Sequence, residues 1–342
     1  MRLRQEDSII KQWQYTDKVY VSIICMTFNQ ESYIKKTIEG FLMQNTDFKF
    51  EILIHDDAST DSTPQIINEY AEKYPDLIKI IQQSENQYSQ KPTLPTYITI
   101  GAAAGKYMAI CEGDDYWSAT NKIQRQVELL EQYSQINLCY HECDRLQDNK
   151  LIKASIAKCA IFKKHSITSF AKVVKGGGAF ISTPSIVMRS SAVKELPDFF
   201  LASPVGDYVL QVLSAAPNGA IKINEAMAVY RIASQGSWSS EQVNYSPQRN
   251  TTMLTSMVNT IKNLDLYYAG LHKVAFDNAL ANECTVFAFK ALKANDLTQF
   301  RTLIDKSWNH KKWASFKQSI LFMVKKYPMI FMMYKTYLKV KL

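Results

Sequence analysis

No stretch of this chain approaches the ~20 uncharged apolar residues that a membrane-spanning helix needs, so nothing in it reads as crossing a bilayer. The opening residues, MRLRQEDSIIKQWQY, are too polar for a secretory leader. Six cysteines (Cys25, Cys111, Cys139, Cys143, Cys159 and Cys284) follow no regular framework and read as reduced thiols in a reducing compartment. Cys139, His141 and Cys143 alternate along one predicted strand. Zinc ligands more often sit across a turn, with about two to four residues between them, and a fourth ligand is not evident. A G-x-S-x-G elbow and a Cys/His nucleophile signature are both missing, which leaves nucleophilic hydrolases without support. The segment CMTFNQESY holds no glycine, whereas a sugar nucleotidyltransferase is expected to carry a Gly-, Arg- and Lys-containing loop there. The triple glycine Gly176 to Gly178 lacks the strand–helix context of a phosphate-binding fingerprint and reads as a mobile loop on the acceptor side. Internal repeats and low-complexity segments are absent as well.

What is present is an ordinary globular composition, 46% hydrophobic and 21% charged, with a length of 342 residues that suits one large domain or two smaller ones. Charge of one sign is concentrated at one end. Residues 301–342 hold ten Lys or Arg against a single acid, Asp305, and so account for the whole net charge of +8. The preceding body is close to neutral, and the excess does not call for a nucleic-acid partner.

The first half alternates strand and helix signals, which implies a mostly parallel α/β sheet flanked by helices. KVYVSIICM, FEILIHDD, LIKIIQ and KYMAIC are short β-rich runs, and INLCYHEC is a further strand. Between them, Ile34, Ile38, Phe41 and Leu42 fall at helical spacing, STDSTPQIINEYAEKY opens with a capping pattern, and NKIQRQVELLEQY is amphipathic. Past Asp144 the alternation weakens. AIKINEAMAVYRI reads as two short strands joined by a turn, and from about Pro247 the pattern is mainly helical. The expected division is 1–240 for the sheet domain and 241–342 for a helical C-terminal extension with a basic amphipathic tail.

Two predicted strand ends carry crowded carboxylates, Asp56–Asp57 and Glu112–Asp114–Asp115. In an open parallel sheet both fall on the edge where ligands bind. A helix cap needs one acid, so a cluster points instead to a hard divalent cation shared with substrate phosphates.

The motifs VSIICMTFNQESYIKKTIEGFLMQ, EILIHDDASTDST and GKYMAICEGDDYW together resemble the family 2 glycosyltransferases of the GT-A fold, in a form similar to bacterial surface-polysaccharide enzymes. The resemblance runs strongly from Val19 to Asp144 and more weakly to about Ser240. It implies a Rossmann-like sheet and a metal-dependent, inverting hexosyl- or N-acetylhexosaminyl-transferase acting from a nucleotide-sugar, with UDP-sugar and Mn²⁺ or Mg²⁺ expected. Thr27, Asn29, Asp56 and Asp57 would line the nucleotide pocket, with one of the two aspartates on the base. Asp114 matches the metal ligand of the family's DxD motif. Glu112 replaces the first acid of that motif and would meet ribose or a metal-bound water. Asp207, in SPVGDYVLQVL, stands where the family places its catalytic base. In VYRIASQGSWSS, Arg231 would counter phosphate charge while Ser237 and Trp238 close the site. Ala233 stands where the family often has histidine, a departure that together with Glu112 keeps an inactive nucleotide-sugar-binding partner subunit as the alternative.

The last segment, SFKQSILFMVKKYPMIFMMYKTYLKVKL, sets Phe316, Ile320, Met323 and Tyr327 at helical spacing, with lysines around them. A basic amphipathic segment of this kind suits the inner face of the cell membrane, placing a cytoplasmic enzyme peripherally beside a glycan or lipid-linked acceptor. The rival expectation is packing on the sheet domain or in a homo-oligomer.

Overall fold

The computed structural model describes residues 3–154, 165–232, 234 and 245–327. Two compact units emerge, Met1–Val173 with Gly178–Val243, and Val174–Gly177 with Asn244–Leu342.

The first unit begins with α1 (Glu6–Ile10), β1 (Val21–Thr27), α2 (Ile34–Leu42), β2 (Phe50–Asp56), α3 (Thr63–Lys73) and β3 (Ile78–Gln82). It continues through α4 (Gln87–Gln90), α5 (Leu94–Ala102), β4 (Tyr107–Ile110), β5 (Tyr116–Trp117), α6 (Lys122–Gln132) and β6 (Leu138–Gln147). Then come β7 (Lys150–Ile152), β8 (His165–Thr168), α7 (Phe170–Gly176, which crosses into the second unit), β9 (Val187–Arg189), α8 (Gly206–Ala215) and β10 (Ala220–Arg231). These strands form one sheet in the order β3-β2-β1-β4-β9-β6-β10-β5, with β7 on β6 and β8 on β10. The pairs β1–β2, β2–β3, β1–β4 and β6–β10 are parallel; β9, β5, β7 and β8 add antiparallel pairings. This is the expected α/β architecture.

Every residue of β2 and nearly every residue of β1 is buried, so apolar residues run consecutively there instead of alternating. Against that sheet α2 buries Ile34, Thr37, Ile38, Phe41 and Leu42, spaced for one helical face. A Cβ on Gly40 would lie 3.0 Å from the Trp117 carbonyl oxygen, so the absent side chain lets α2 approach β5. The predicted start of α3 also holds, with Pro64 in its first turn, although Ser62 makes no side-chain cap; Asp61 Oδ1 accepts from Thr63 N at 2.9 Å instead.

Two local expectations change. AIKINEAMAVYRI forms one strand, β10, because register shifts between Ile223 and Ala226 and between Ala226 and Ala228 absorb the polar residues that resemble a turn. The glycine loop is more regular than expected: α7 runs to Gly176 and a short 3₁₀ turn covers Gly178–Phe180, while Gly177 takes a left-handed φ of 70°.

The second unit contributes α9 (Pro247–Tyr267), α10 (Lys273–Lys293), α11 (Leu297–His310) and α12 (Phe316–Val324). Ser246, Asp296 and Ser315 cap the first, third and fourth of these, each accepting a backbone N–H three residues on. Among the described residues, no helix is long and apolar enough to cross a membrane.

Candidate active site

The chain runs outward from β1 to β2 and β3, then returns to β4 on the other side of β1. This reversal makes the carboxyl ends of β1 and β4 a topological switch point, where open α/β sheets hold ligands. The residues at those ends are stapled to one another. Thr27 and Asp56 are register partners; Asp57 N donates to Thr27 O at 3.0 Å, and Gly113 N donates to Met26 O at 2.9 Å. Asn29 sits at a left-handed φ of 51°, a conformation that Asn tolerates better than most side chains. Its Oδ1 accepts from Thr60 N at 2.8 Å and its own N–H donates to Ser59 Oγ at 2.9 Å, tying the loop after β1 to the loop after β2.

The paired aspartates have different duties. Both oxygens of Asp57 are taken by backbone donors opening α4, Gln87 N at 2.7 Å and Tyr88 N at 2.9 Å. Asp56 accepts from Ser59 Oγ at 2.5 Å through Oδ1, while its buried Oδ2 has no hydrogen-bond partner among the described residues. Burial raises the proton affinity of the Asp56 carboxyl.

After β4 the turn Glu112–Asp115 brings three carboxylates together, with oxygens all within 4.8 Å of one another. Thr37 of α2 secures the turn from beneath, its hydroxyl donating to Gly113 O at 2.8 Å and to Asp115 O. A Cβ on Gly113 would stand 2.3 Å from Gln30 Oε1, so only glycine passes that point without moving the loop after β1. From the far side, the backbone N–H of Arg231 at the end of β10 donates to Asp115 Oδ1 at 2.7 Å, and its guanidinium donates to the Asp114 carbonyl. That guanidinium lies between two rings, 4.9 Å from the centroids of both Tyr33 and Tyr116. Ser234 donates to Asp114 Oδ2.

Crowding and burial together raise the proton affinity of this turn. Burial first, then the Asp114 and Asp207 charges, push Glu112 up to about 8; burial also raises Asp114 and, well above the carboxylate range, Asp115. Asp115 Oδ2 has no hydrogen-bond partner among the described residues. An all-oxygen donor set of crowded carboxylates fits a hard divalent ion, and Asp114 with Glu112 could hold one.

Asp207 enters from α8, in the first turn and two residues past the cap position at Val205, so it is not the helix cap. Its Oδ1 accepts from Tyr208 N at 2.6 Å, and burial pushes its carboxyl up to about 6. A Cβ on Gly178 would lie 3.3 and 3.5 Å from the two Asp207 oxygens. Four residues along α8, the Gln211 amide donates to Ile181 O at 3.1 Å and Gly178 O at 3.3 Å, pinning that turn beside the carboxylate.

A model of the family "Glycosyl transferase family 2" matches residues 22–196, just over half the chain. The chain belongs to that family. This glycosyltransferase is 29% identical over 322 residues to an uncharacterized protein of Mycobacterium tuberculosis, spanning 88% of this chain and 87% of that one. Over 111 residues it is 36% identical to the Escherichia coli UDP-Glc:alpha-D-GlcNAc-diphosphoundecaprenol beta-1,3-glucosyltransferase WfaP, 32% of this chain and 41% of that protein. Its fold is similar to S. aureus TarS in complex with UDP-GlcNAc, with TM-score 0.62, 17% identity and 90% of each chain covered. The mannosyltransferase PcManGT of Pyrobaculum calidifontis, in complex with GDP-Man and Mn²⁺, shares the fold at TM-score 0.52 and 14% identity, over 95% of this chain and 91% of that one.

Thr27, Asn29, Asp56, Asp57, Glu112, Asp114, Asp207 and Arg231 all lie in the first unit. Ala233, Ser237 and Trp238 lie outside the described residues. Sequence reasoning missed Ser234, Tyr33, Tyr116 and Thr37, and it singled out Gly178 only as part of an acceptor-side loop. Of these, Ser234 stood within the quoted late motif, but only the closure of β10 onto the acidic turn picks it out. His141 is buried, with Nδ1 2.7 Å from Glu142 O, and burial drives its proton affinity well down. Cys139 and Cys143 are buried as well, and among the described residues the carboxylate turn is the group whose ligand atoms gather closely enough for a metal.

Proposed function

We propose that this glycosyltransferase is a metal-dependent, inverting enzyme of bacterial surface-polysaccharide synthesis. It moves a hexosyl or N-acetylhexosaminyl group from a UDP-sugar to a glycan or lipid-linked acceptor. Asp207 is the base. The observation that carries this reading is a carboxylate with raised proton affinity, at the head of a helix and electrostatically coupled to the acidic turn. Asp207 takes the acceptor hydroxyl proton as the new C1–O bond forms and the C1–O bond to the diphosphate breaks on the opposite face. An α-linked donor then gives a β product.

Asp114 is the principal metal ligand, with Glu112 beside it, and Mn²⁺ or Mg²⁺ there supplies charge neutralisation for the diphosphate. Asp56, with its unmatched acceptor oxygen, addresses a base N–H, while Asp57 shapes the pocket wall through α4. Thr27 and Asn29 hold the loops that line the nucleotide, and Arg231 braces the turn while adding positive potential near the phosphates. Ser237 and Trp238 complete the closure, residues 1–240 carry catalysis, and 241–342 form the extension.

The test is nucleotide release from a panel of UDP-, GDP- and dTDP-sugars, with and without Mn²⁺, for the wild type, Asp207→Asn and Asp114→Ala. Metal-dependent release that collapses in both folded variants supports the reading. Nucleotide binding with no turnover under any metal would make the chain a binding partner subunit and sink it.

A further inference from the structure

The second unit presents an apolar face with no use in sugar transfer. On α12 and the turn after it, Phe316, Ile320, Met323 and Tyr327 are 84%, 39%, 64% and 65% exposed. The i, i+4, i+7 spacing of Phe316, Ile320 and Met323 sets them within an arc of about 60° on a 3.6-residue helix, and Tyr327 follows just past its end. The helix is not free to roll this face inward. Its other side buries Gln318, Ser319 and Leu321, and the Gln318 amide donates to Lys311 O at 2.7 Å and Ser307 Oγ at 2.9 Å. Phe322 stacks on Trp308 with centroids 4.0 Å apart and planes 7° from parallel. The orientation of the stripe is therefore set by packing.

We propose that this face of α12 is a docking surface for an anionic lipid membrane. Three observations select that occupant. The stripe has aliphatic residues at its centre and aromatics toward its ends, with Tyr327 on one side and Trp313, itself 70% exposed, just before the helix. Tyr and Trp suit the boundary between hydrocarbon and water. Lys312, beside Trp313 before the helix, and Lys326, in the turn after it, are both exposed and so available to headgroups at the two ends of the stripe. The described residues around it are largely of one sign: residues 301–327 contain seven Lys or Arg, and their single acid, Asp305, is paired with Lys325. A second copy of the chain is a poorer match, because stable protein interfaces use roughly 20–30 residues a side and this stripe offers a handful, with like charge facing like charge.

The test uses the full-length protein and sedimentation with vesicles of phosphatidylglycerol and phosphatidylcholine, against pure phosphatidylcholine. Binding to the anionic vesicles alone, weakened at high salt, is expected. Combined Phe316→Ser, Ile320→Ser and Met323→Ser, all at exposed positions, should lower partitioning at least about tenfold. Lys312→Gln and Lys326→Gln should each lower it about fivefold. Failure to bind anionic vesicles at low salt overturns the proposal, as does equal binding to neutral ones. A dimer in light scattering that the triple serine variant converts to monomer would assign the stripe to a second copy and overturn it too. If the triple variant unfolds, the two lysine variants decide. None of these readouts involves donor turnover, so the outcome is independent of the catalytic assignment.

Discussion

Asp207 illustrates how one buried carboxyl acquires a working proton affinity. Burial disfavours its charged form and lifts it to about 6, within reach of neutral pH but still ionised there. The base must be deprotonated to act, so transfer should lose rate as pH falls through about 6 and plateau above it. A pH profile of the transfer rate checks this, and an acid limb near 4 would remove Asp207 from the role. Asp207→Asn should lower transfer by about 10²–10⁴-fold while nucleotide affinity persists, measured by steady-state kinetics beside calorimetry with UDP. Gly178 allows a finer test. The methyl of Gly178→Ala would press to 3.3 and 3.5 Å from the Asp207 oxygens and exclude water from them. The acid limb should then move upward, and a profile superimposable on the wild type would contradict that geometry.

Single elements combine duties that no residue signals alone. β10 closes the sheet beside β6, and its last residue, Arg231, braces the acidic turn from behind. That role depends on a strand continuous through two register shifts, which is why a turn-like INEAM within it misleads a reading based on propensity. In the second unit, α10 carries Glu283, which burial pushes up to about 7. A carboxyl whose folded-state affinity exceeds its unfolded one favours folding fully only at low pH. That contribution is lost as pH rises from the usual carboxylate range through about 7. Glu283→Gln removes the ionisable group at nearly constant volume, so at pH 8 it should raise unfolding stability by about 1–2 kcal/mol, with a smaller gain at pH 5. Urea melts at the two pH values measure the difference, and equal gains would mean that Glu283 titrates normally.

Across the whole molecule the absent cysteine framework becomes a reactivity pattern. Cys25, Cys111, Cys139, Cys143 and Cys284 are free and buried, and burial raises Cys139 and Cys143 to about 12 and Cys284 to about 11. Native protein should therefore expose at most one thiol to a water-soluble disulfide reagent, with Cys159 the candidate, and all six after denaturation. Rapid reaction of two or more native thiols would contradict this burial. Charge is also distributed at this scale: its excess gathers at the C-terminal end of the sequence, while the first unit crowds Glu112, Asp114 and Asp115 at one sheet edge.

The strand–helix alternation, the two acidic clusters and the helical spacing of the α12 stripe are local patterns, so they were legible in the chain before any contact was known. Hydrophobic periodicity and clustered carboxylates act over a few residues, and the family resemblance assembles them in order. Other features arise between segments far apart in sequence. That Asp57 is consumed by α4 while Asp56 keeps an unmatched oxygen depends on a loop thirty residues on. That Ser234 and Arg231 reach the turn at Asp114 and Asp115 depends on the sheet closing across more than a hundred residues. That Phe316, Ile320, Met323 and Tyr327 face outward follows from the anchoring of the opposite side of α12 on α11. Spacing tells which side chains share a face; only packing decides whether that face meets protein or solvent.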